Sequence, residues 1–460
     1  MIVRSKSLPA VTSTPTPRLL GVLGIYLSIV LSSHCVSAQA QSPNAQTISP
    51  LLNHPVLNSD TQAIEPISLW EVEQRVSSNR TVAVLEKAAA VARAEIERVN
   101  VRPNPVLSGQ LGNSLGGRYG VRETDRIVRI EQLFERGDKQ ALRTGTATAL
   151  AAAASAEIAA AVREQRQLAS QTYFDLALAQ SQVSLLQENV KNYERLLDGI
   201  SRRLTAGDIA AIEVTRLKVE TSRANNDLRS GQAQVIRASI ELAQKINKDN
   251  ATASLRAKEP LPSGPEIEVQ IEAALRDLTQ RKSDAASQRA ELKAAQARIE
   301  GALKNLDLAR RLRTRDISLG LQAERSPSSD GTIFALSASV PLFIYNDYRG
   351  DINKAQAELD LVQLEKERIS LTVQNEIDLA LAQLLAAKDR AQRLIKEAVP
   401  TAKQAADAIE FGFLKGAGTL TDLFDARRQY NSVRQEAEAA KADVAKALSA
   451  LRLSTWVEPL

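Results

Sequence analysis

Cysteine is nearly absent from this chain. Among 460 residues there is one, Cys35, so no disulfide framework is expected. Methionine occurs only at position 1, and the two histidines are His34 and His54. A selective zinc or copper site draws on His, Cys or Met, so neither a metal site nor a cofactor is expected. The carboxylates show no ligand spacing on one face. No paired His, Cys or nucleophile motif is present, which argues against an enzyme. Aromatic residues make up 3% of the chain. Lysines and arginines are interspersed with acids instead of forming a basic stripe with stacking aromatics, so no nucleic-acid partner is expected. The net charge of +5 falls to +2 without Arg4, Lys6 and Arg18, since residues 1–40 hold no acid.

Long hydrophobic runs are also missing. The apolar stretch Leu19 to Leu31 is shorter than the roughly 20 residues a membrane helix needs. With the basic residues before it and Ala38-Gln39-Ala40 after it, it reads as an export signal over residues 1–40, discarded together with Cys35. No later stretch is expected to form a transmembrane helix. An exported chain of this kind is periplasmic, secreted or inserted in the outer membrane as a β-barrel.

What is present is a duplication. Gln132-Leu133-Phe134 and Pro341-Leu342-Phe343 stand 209 positions apart. The turn Leu204-Thr205-Ala206-Gly207, followed by Glu213-Val214, stands at the same offset from Phe413-Leu414-Lys415-Gly416 and Asp422-Leu423. The spacing predicts two copies of one unit: helix, two strands, a very long helix, a Gly turn and a returning helix. The repeat far exceeds the ~20–50 residues of solenoids.

The organisation predicted is a signal over 1–40, an irregular extension over 41–65, a first repeat over 66–250, a linker over 251–265, a second repeat over 266–455 and a tail over 456–460. Ser68 with Glu71 makes a capping box, opening a helix to about Asn100. Val106–Ser114 and Arg126–Phe134 read as strands. Lys139 to Thr205 holds no proline and keeps helical periodicity; Ile212 to about Asn247 returns. In the second copy Glu268–Leu312 is helical, Ile317–Arg325 and Ile333–Phe343 are strands, and Gly350–Lys415 is the long helix, kinked at Pro400. Thr421–Leu453 returns. The class expected is mainly α with a small β part: duplicated coiled-coil hairpins plus four membrane strands per chain.

Helices this long bury their apolar stripes only against neighbours. Four strands do not close, and a membrane sheet must close; small barrels need about eight strands or more. Several chains are therefore required, and three would supply twelve strands.

These features together resemble the TolC-like outer-membrane efflux channels over roughly residues 66–455. The resemblance rests on Pro66-Ile67-Ser68-Leu69, on Val340-Pro341-Leu342-Phe343 with Asn346 and Gly350 after it, and on both Gly turns followed by Glu213 or Asp422. It implies a homotrimeric α/β-barrel channel, its strands in outer-membrane lipid and its helices in the periplasm. It also implies a periplasmic adaptor and an inner-membrane pump of the resistance-nodulation-division or ABC type as partners. Glu131–Lys139 is similar to the heavy-metal (CzcC-type) branch, although that branch usually has Gly at Asp138 and Pro at Leu133. Drug efflux and type I protein secretion are alternative duties, and a pore-less periplasmic coiled-coil scaffold is the alternative of another class.

By the same resemblance, Gly207, Asp208, Gly416 and Gly418 lie at the periplasmic tips that meet the adaptor. The two turn glycines also suit ordinary helix ends. Glu213, Asp422 and Asp425 are candidate tip carboxylates, with helix capping as the competing role. Tyr345 and Tyr348 are candidate membrane-interface aromatics, with junction packing as the alternative.

Overall fold

The computed structural model describes residues 65–114, 123–207, 209–247, 255–326 and 331–457. The expected signal, nearly all of the extension, Asp208 and the tail from residue 458 lie outside these residues.

The chain opens with β1 (Glu65–Ile67), α1 (Leu69–Arg75), a 3-10 turn at Val76–Ser78 and α2 (Arg80–Val99). Ser68 caps α1 and closes the expected capping box with Glu71. The single helix expected as far as Asn100 is broken. Asn79 leaves the helical region to cap α2, accepting from Thr81 N and donating to the Lys245 carbonyl at 2.7 Å. Then come β2 (Val106–Ser114), β3 (Glu123–Phe134), α3 (Lys139–Thr205) and α4 (Ala211–Lys245). At 1.5 Å per residue, the 67 residues of α3 reach about 100 Å.

The segment expected as a linker contains β4 (Leu255–Ala257), which pairs in parallel with β1. Its alternation places Leu255 and Ala257 in a core with Ile67, Val72, Tyr173 and Leu242. Next come α5 (Gly264–Leu275), α6 (Leu278–Gln288) and α7 (Ala290–Arg311), where one continuous helix was expected. Left-handed Asp277 and extended Arg289 make the two breaks. The strands β5 (Ile317–Arg325) and β6 (Thr332–Ser339) follow. β6 stops short of the expected Phe343 because Pro341 has no amide to donate to a ladder.

The second long helix is α8 (Arg349–Arg393), a π turn (Leu394–Ala398) and α9 (Val399–Leu414). Pro400 removes one helical hydrogen bond, and its ring crowds the carbonyl four residues back. The wider π turn absorbs both. Finally α10 (Leu420–Ser454) returns. It has the 35-residue length of α4, and both its ends lie 209 positions after those of α4.

The second sheet has the order β2-β3-β5-β6, antiparallel throughout. Each strand is joined to a long helix: α2 enters β2, β3 enters α3, α7 enters β5, and β6 enters α8. The helices α2, α3, α7 and α8 pack side by side in that same order. The Ala-rich start of α3 is, by length and composition, apolar enough to cross a membrane, contrary to the sequence expectation. In the fold it buries Ala147, Ala151 and Ala153, and α3 runs along α2 and α7.

Candidate functional site

The four-stranded sheet has two unlike faces. Register aligns Leu107, Ile130, Leu321 and Leu336 in one row, and Gly109, Val128, Ala323 and Phe334 in the next. These side chains form an apolar face open to the surroundings; Leu336 is 87% exposed. The opposite rows hold Ser108, Arg129, Gln322 and Ala335, then Gln110, Ile127, Glu324 and Ile333. Arg129 donates to Gln322 Oε1 at 2.6 Å, and Gln322 donates to Glu324. Asp125 and Glu131 share this polar side with Glu324, against the single cation Arg129 among its described residues. Within the chain, β2 and β6 each have one unpaired edge.

Where the sheet meets the helices, Lys139 is buried and bonds to Asp316 at 2.9 Å and to the Thr314 carbonyl. The Arg136 amide donates to Asp316 Oδ1, so the β3–α3 corner is tied to the α7–β5 corner. Tyr345 is 100% exposed. Tyr348 is half-buried, left-handed at φ 58°, and packs edge-on against Phe343 with ring centres 5.1 Å apart. The two tyrosines that the sequence groups together therefore have different surroundings.

At the far end, the α9–α10 turn is a full Schellman motif. Ala417 N donates to the Gly412 carbonyl and Gly416 N to that of Phe413, with Gly416 at φ 81°. Gly207 ends α3 with φ 85° and donates to the Leu204 carbonyl. A Cβ on either glycine would meet nothing within 4 Å, so positive φ alone calls for glycine there. At Gly418 a Cβ would sit 3.4 Å from Phe413 N.

The tip carboxylates divide by role. Asp422 completes a capping box with Thr419 at the start of α10. Asp425 lies 3.6 Å from Arg428, and Glu213 lies 3.6 Å from Arg216 in the first turn of α4. The Glu213 Oε2 atom is buried without a hydrogen-bond partner. Asp422 and Asp425 also line a groove of about 750 Å³ between α9 and α10, with Arg393 and Glu397.

Sequence reasoning missed a ladder that ties α10 to the first hairpin. Arg428 reaches Glu220 at 2.6 Å, Arg434 reaches Glu188 at 2.8 Å, Asn431 meets Asn189, and Lys446 meets Asp175. The partners are more than 200 positions apart, and no local pattern announces them. Below the ladder, Tyr193, Ile200, Leu217, Phe413, Leu423 and Phe424 form one tip core.

The model of the family described as outer membrane efflux protein matches residues 282–455. The match covers most of the second half of the chain. The cobalt-zinc-cadmium resistance protein CzcC of Cupriavidus metallidurans is 25% identical over 398 residues, covering 85% of this chain and 88% of that protein. The cation efflux system protein CusC of Escherichia coli is 23% identical over 289 residues, 58% of each chain. Among solved structures, the outer-membrane channel OprN superposes with a TM-score of 0.68 at 17% identity, covering 85% of this chain and 90% of that one. The two-faced sheet and the paired helical hairpins thus share the fold of that solved structure.

Proposed function

We propose that this chain is an outer membrane efflux protein, the channel subunit of a tripartite efflux system. It is the passive conduit through which an inner-membrane pump and a periplasmic adaptor deliver substrate to the exterior. The observation that carries the reading is the sheet: one mainly apolar face, one more polar face and two open edges. In lipid every backbone group needs a partner. Pairing β6 of one copy with β2 of the next closes the edges, and three copies supply twelve strands. The apolar face then meets outer-membrane lipid and the polar face lines a lumen.

The helices support the same closure. α2 and α8 flank the packed row, and each exposes apolar side chains: Val84 and Val91 on α2, and Leu361, Leu364, Leu371 and Leu379 on α8. Joining β6 to the next β2 sets these stripes against each other. In this homotrimer the turns at Gly207–Asp208 and Gly416–Gly418 are the periplasmic tips that meet the adaptor, Glu213 and Asp425 lie at their mouth, and Tyr345 and Tyr348 stand at the membrane interface.

For substrate, the proposal is heavy-metal cations. The similarity to CzcC spans most of both chains, and the polar sheet face carries more carboxylates than cations, which favours cation passage. The test is growth of a clean deletion strain in graded cobalt, zinc, cadmium and nickel beside a panel of dyes and antibiotics. Sensitivity confined to metals supports this substrate. Sensitivity to drugs alone overturns it and leaves the channel in place. Planar-bilayer recording of the purified oligomer tests the channel itself, and absence of conductance would refute it.

A further inference from the structure

The end of the sheet that meets the helices is rich in arginine, and several of these arginines lack a counter-charge. Arg310 pairs with Asp307, while Arg313 and Arg349 share Asp347. Among the described residues no carboxylate stands within salt-bridge distance of Arg102, Arg136, Arg311 or Arg315, and all four are exposed. Arg315 lies over the Phe343 ring at 5.5 Å.

The register sharpens this. Phe134 pairs with Ile317 on the apolar face at the last rung of β3 and β5. Arg136 and Arg315 each stand two residues beyond that last paired rung. The Arg136 amide donates to the Asp316 side chain, which keeps the two segments together just past the ladder. Two arginines therefore follow directly below an apolar, exposed surface. Cationic side chains without a counter-charge attract anions. Beside them Leu342, Ile344 and Tyr345 are exposed, an apolar fringe next to a cationic rim. β3 and β5 are the central strands, so a neighbouring copy added at β2 or β6 leaves this rim uncovered.

We infer that Arg136 and Arg315, supported by Arg311, form a collar that binds the anionic phosphate headgroups of phospholipids in the periplasmic leaflet. Arginine matches phosphate oxygens with two parallel N–H donors, and the apolar rows directly above hold the acyl chains of the same lipid. The collar fixes the depth of the sheet in the membrane and selects phosphatidylglycerol-type over zwitterionic lipid. This inference rests on the reading of the apolar sheet face as lipid-facing.

The test is native mass spectrometry of the full-length oligomer released from nanodiscs of equimolar phosphatidylglycerol and phosphatidylcholine. The wild type is expected to retain phosphatidylglycerol about tenfold over phosphatidylcholine. The Arg136→Gln/Arg315→Gln variant is expected to fall to parity. Parity in the wild type, or undiminished enrichment in the variant, overturns the collar. Should the variant fail to assemble, the wild type alone decides: its enrichment must shrink in nanodiscs formed at high salt, and enrichment indifferent to salt overturns the collar. Failure of the wild type to enter nanodiscs of either lipid would instead refute the lipid-facing sheet.

Discussion

Arg289 and Glu291 form a buried, doubly bonded ion pair at the start of α7, with Nη2 to Oε1 at 2.8 Å and Nε to Oε2 at 3.2 Å. The Arg289 side chain is only 2% exposed. Arg163 from α3 reaches the same carboxylate at 2.7 Å, and both arginines also reach Glu376 on α8. One charge cluster thus joins α3, α7 and α8, the middle and edge of the helical row.

Burial alone raises the Glu291 carboxyl, but the Arg289 hydrogen bond and the two guanidinium charges outweigh it and hold the group down at about 2. A depressed carboxylate contributes stability that is present above its unfolded value of 4.5 and lost as pH falls toward 2. Glu291→Gln is expected to cost about 2 kcal/mol at neutral pH, since it leaves Arg289 partly uncompensated in a buried place. It should also flatten acid unfolding between those two pH values. Thermal melts of both proteins across that window check this, and equal acid sensitivity would count against the pair.

The link between Glu220 and Arg428 ties the second hairpin to the first near the tips. Glu220 is mostly buried, and its hydrogen bond raises the Arg428 guanidinium. Arg428→Glu should destabilise by about 1 kcal/mol or more, and the exchange Glu220→Arg/Arg428→Glu should recover part of that loss. A double-mutant cycle on thermal stability measures the coupling. Additive effects would show that the contact contributes nothing.

Gly416→Ala places a Cβ on a residue at φ 81° with no neighbour to strike, so only backbone strain is added. A cost of about 1 kcal/mol is expected, with Gly416→Asn costing less because Asn tolerates that region. Limited proteolysis at the tip and thermal melts report both variants. Equal stability for alanine and glycine would contradict the strain.

The features that repeat were legible in the sequence. α3 has the ends its periodicity announces, β2 and β5 coincide with their expected spans, and α4 and α10 preserve the offset of 209. Local chemistry was also readable: the capping box of Ser68 with Glu71, and the helix-ending glycines Gly207 and Gly416. What escaped is non-local. Leu255–Ala257 is a strand only because β1 lies alongside it, and three residues carry too little pattern to announce that. The break at Asn79 depends on the Lys245 carbonyl, 166 positions away. The candidate site behaved in the same way. The tip turns were readable as turns, but the ladder from Arg428 to Lys446 exists only once two hairpins pack.

Pro400 makes the second long helix unlike the first. α5 braces the π turn beside it, since Glu268 accepts from Lys396 at 2.8 Å and from Gln392 at 3.1 Å. Pro400→Ala restores the missing amide and should let the π turn revert to α geometry. Electron-electron resonance between spin labels at Leu379 and Phe411, both exposed, should then give a longer and narrower distance distribution. An unchanged distribution would show that the α5 brace, not the proline, holds the π turn.

Leu336 separates a membrane-embedded sheet from a merely exposed one. It lies midway along the edge strand β6 on the apolar face, and in the isolated chain it is almost fully open. If water covers that face, Leu336→Arg changes stability by less than about 0.5 kcal/mol, as surface substitutions usually do. If lipid covers it, an arginine there costs about 2–4 kcal/mol, because the charge must be carried into hydrocarbon. Ser337 provides the internal control, since alternation turns it to the polar face. The expected outcome is that Leu336→Arg sharply lowers the yield of heat-resistant oligomer in the outer-membrane fraction, whereas Ser337→Arg leaves it near the wild-type level. Equal yields for the two variants would place both faces in water and remove the main support for a channel.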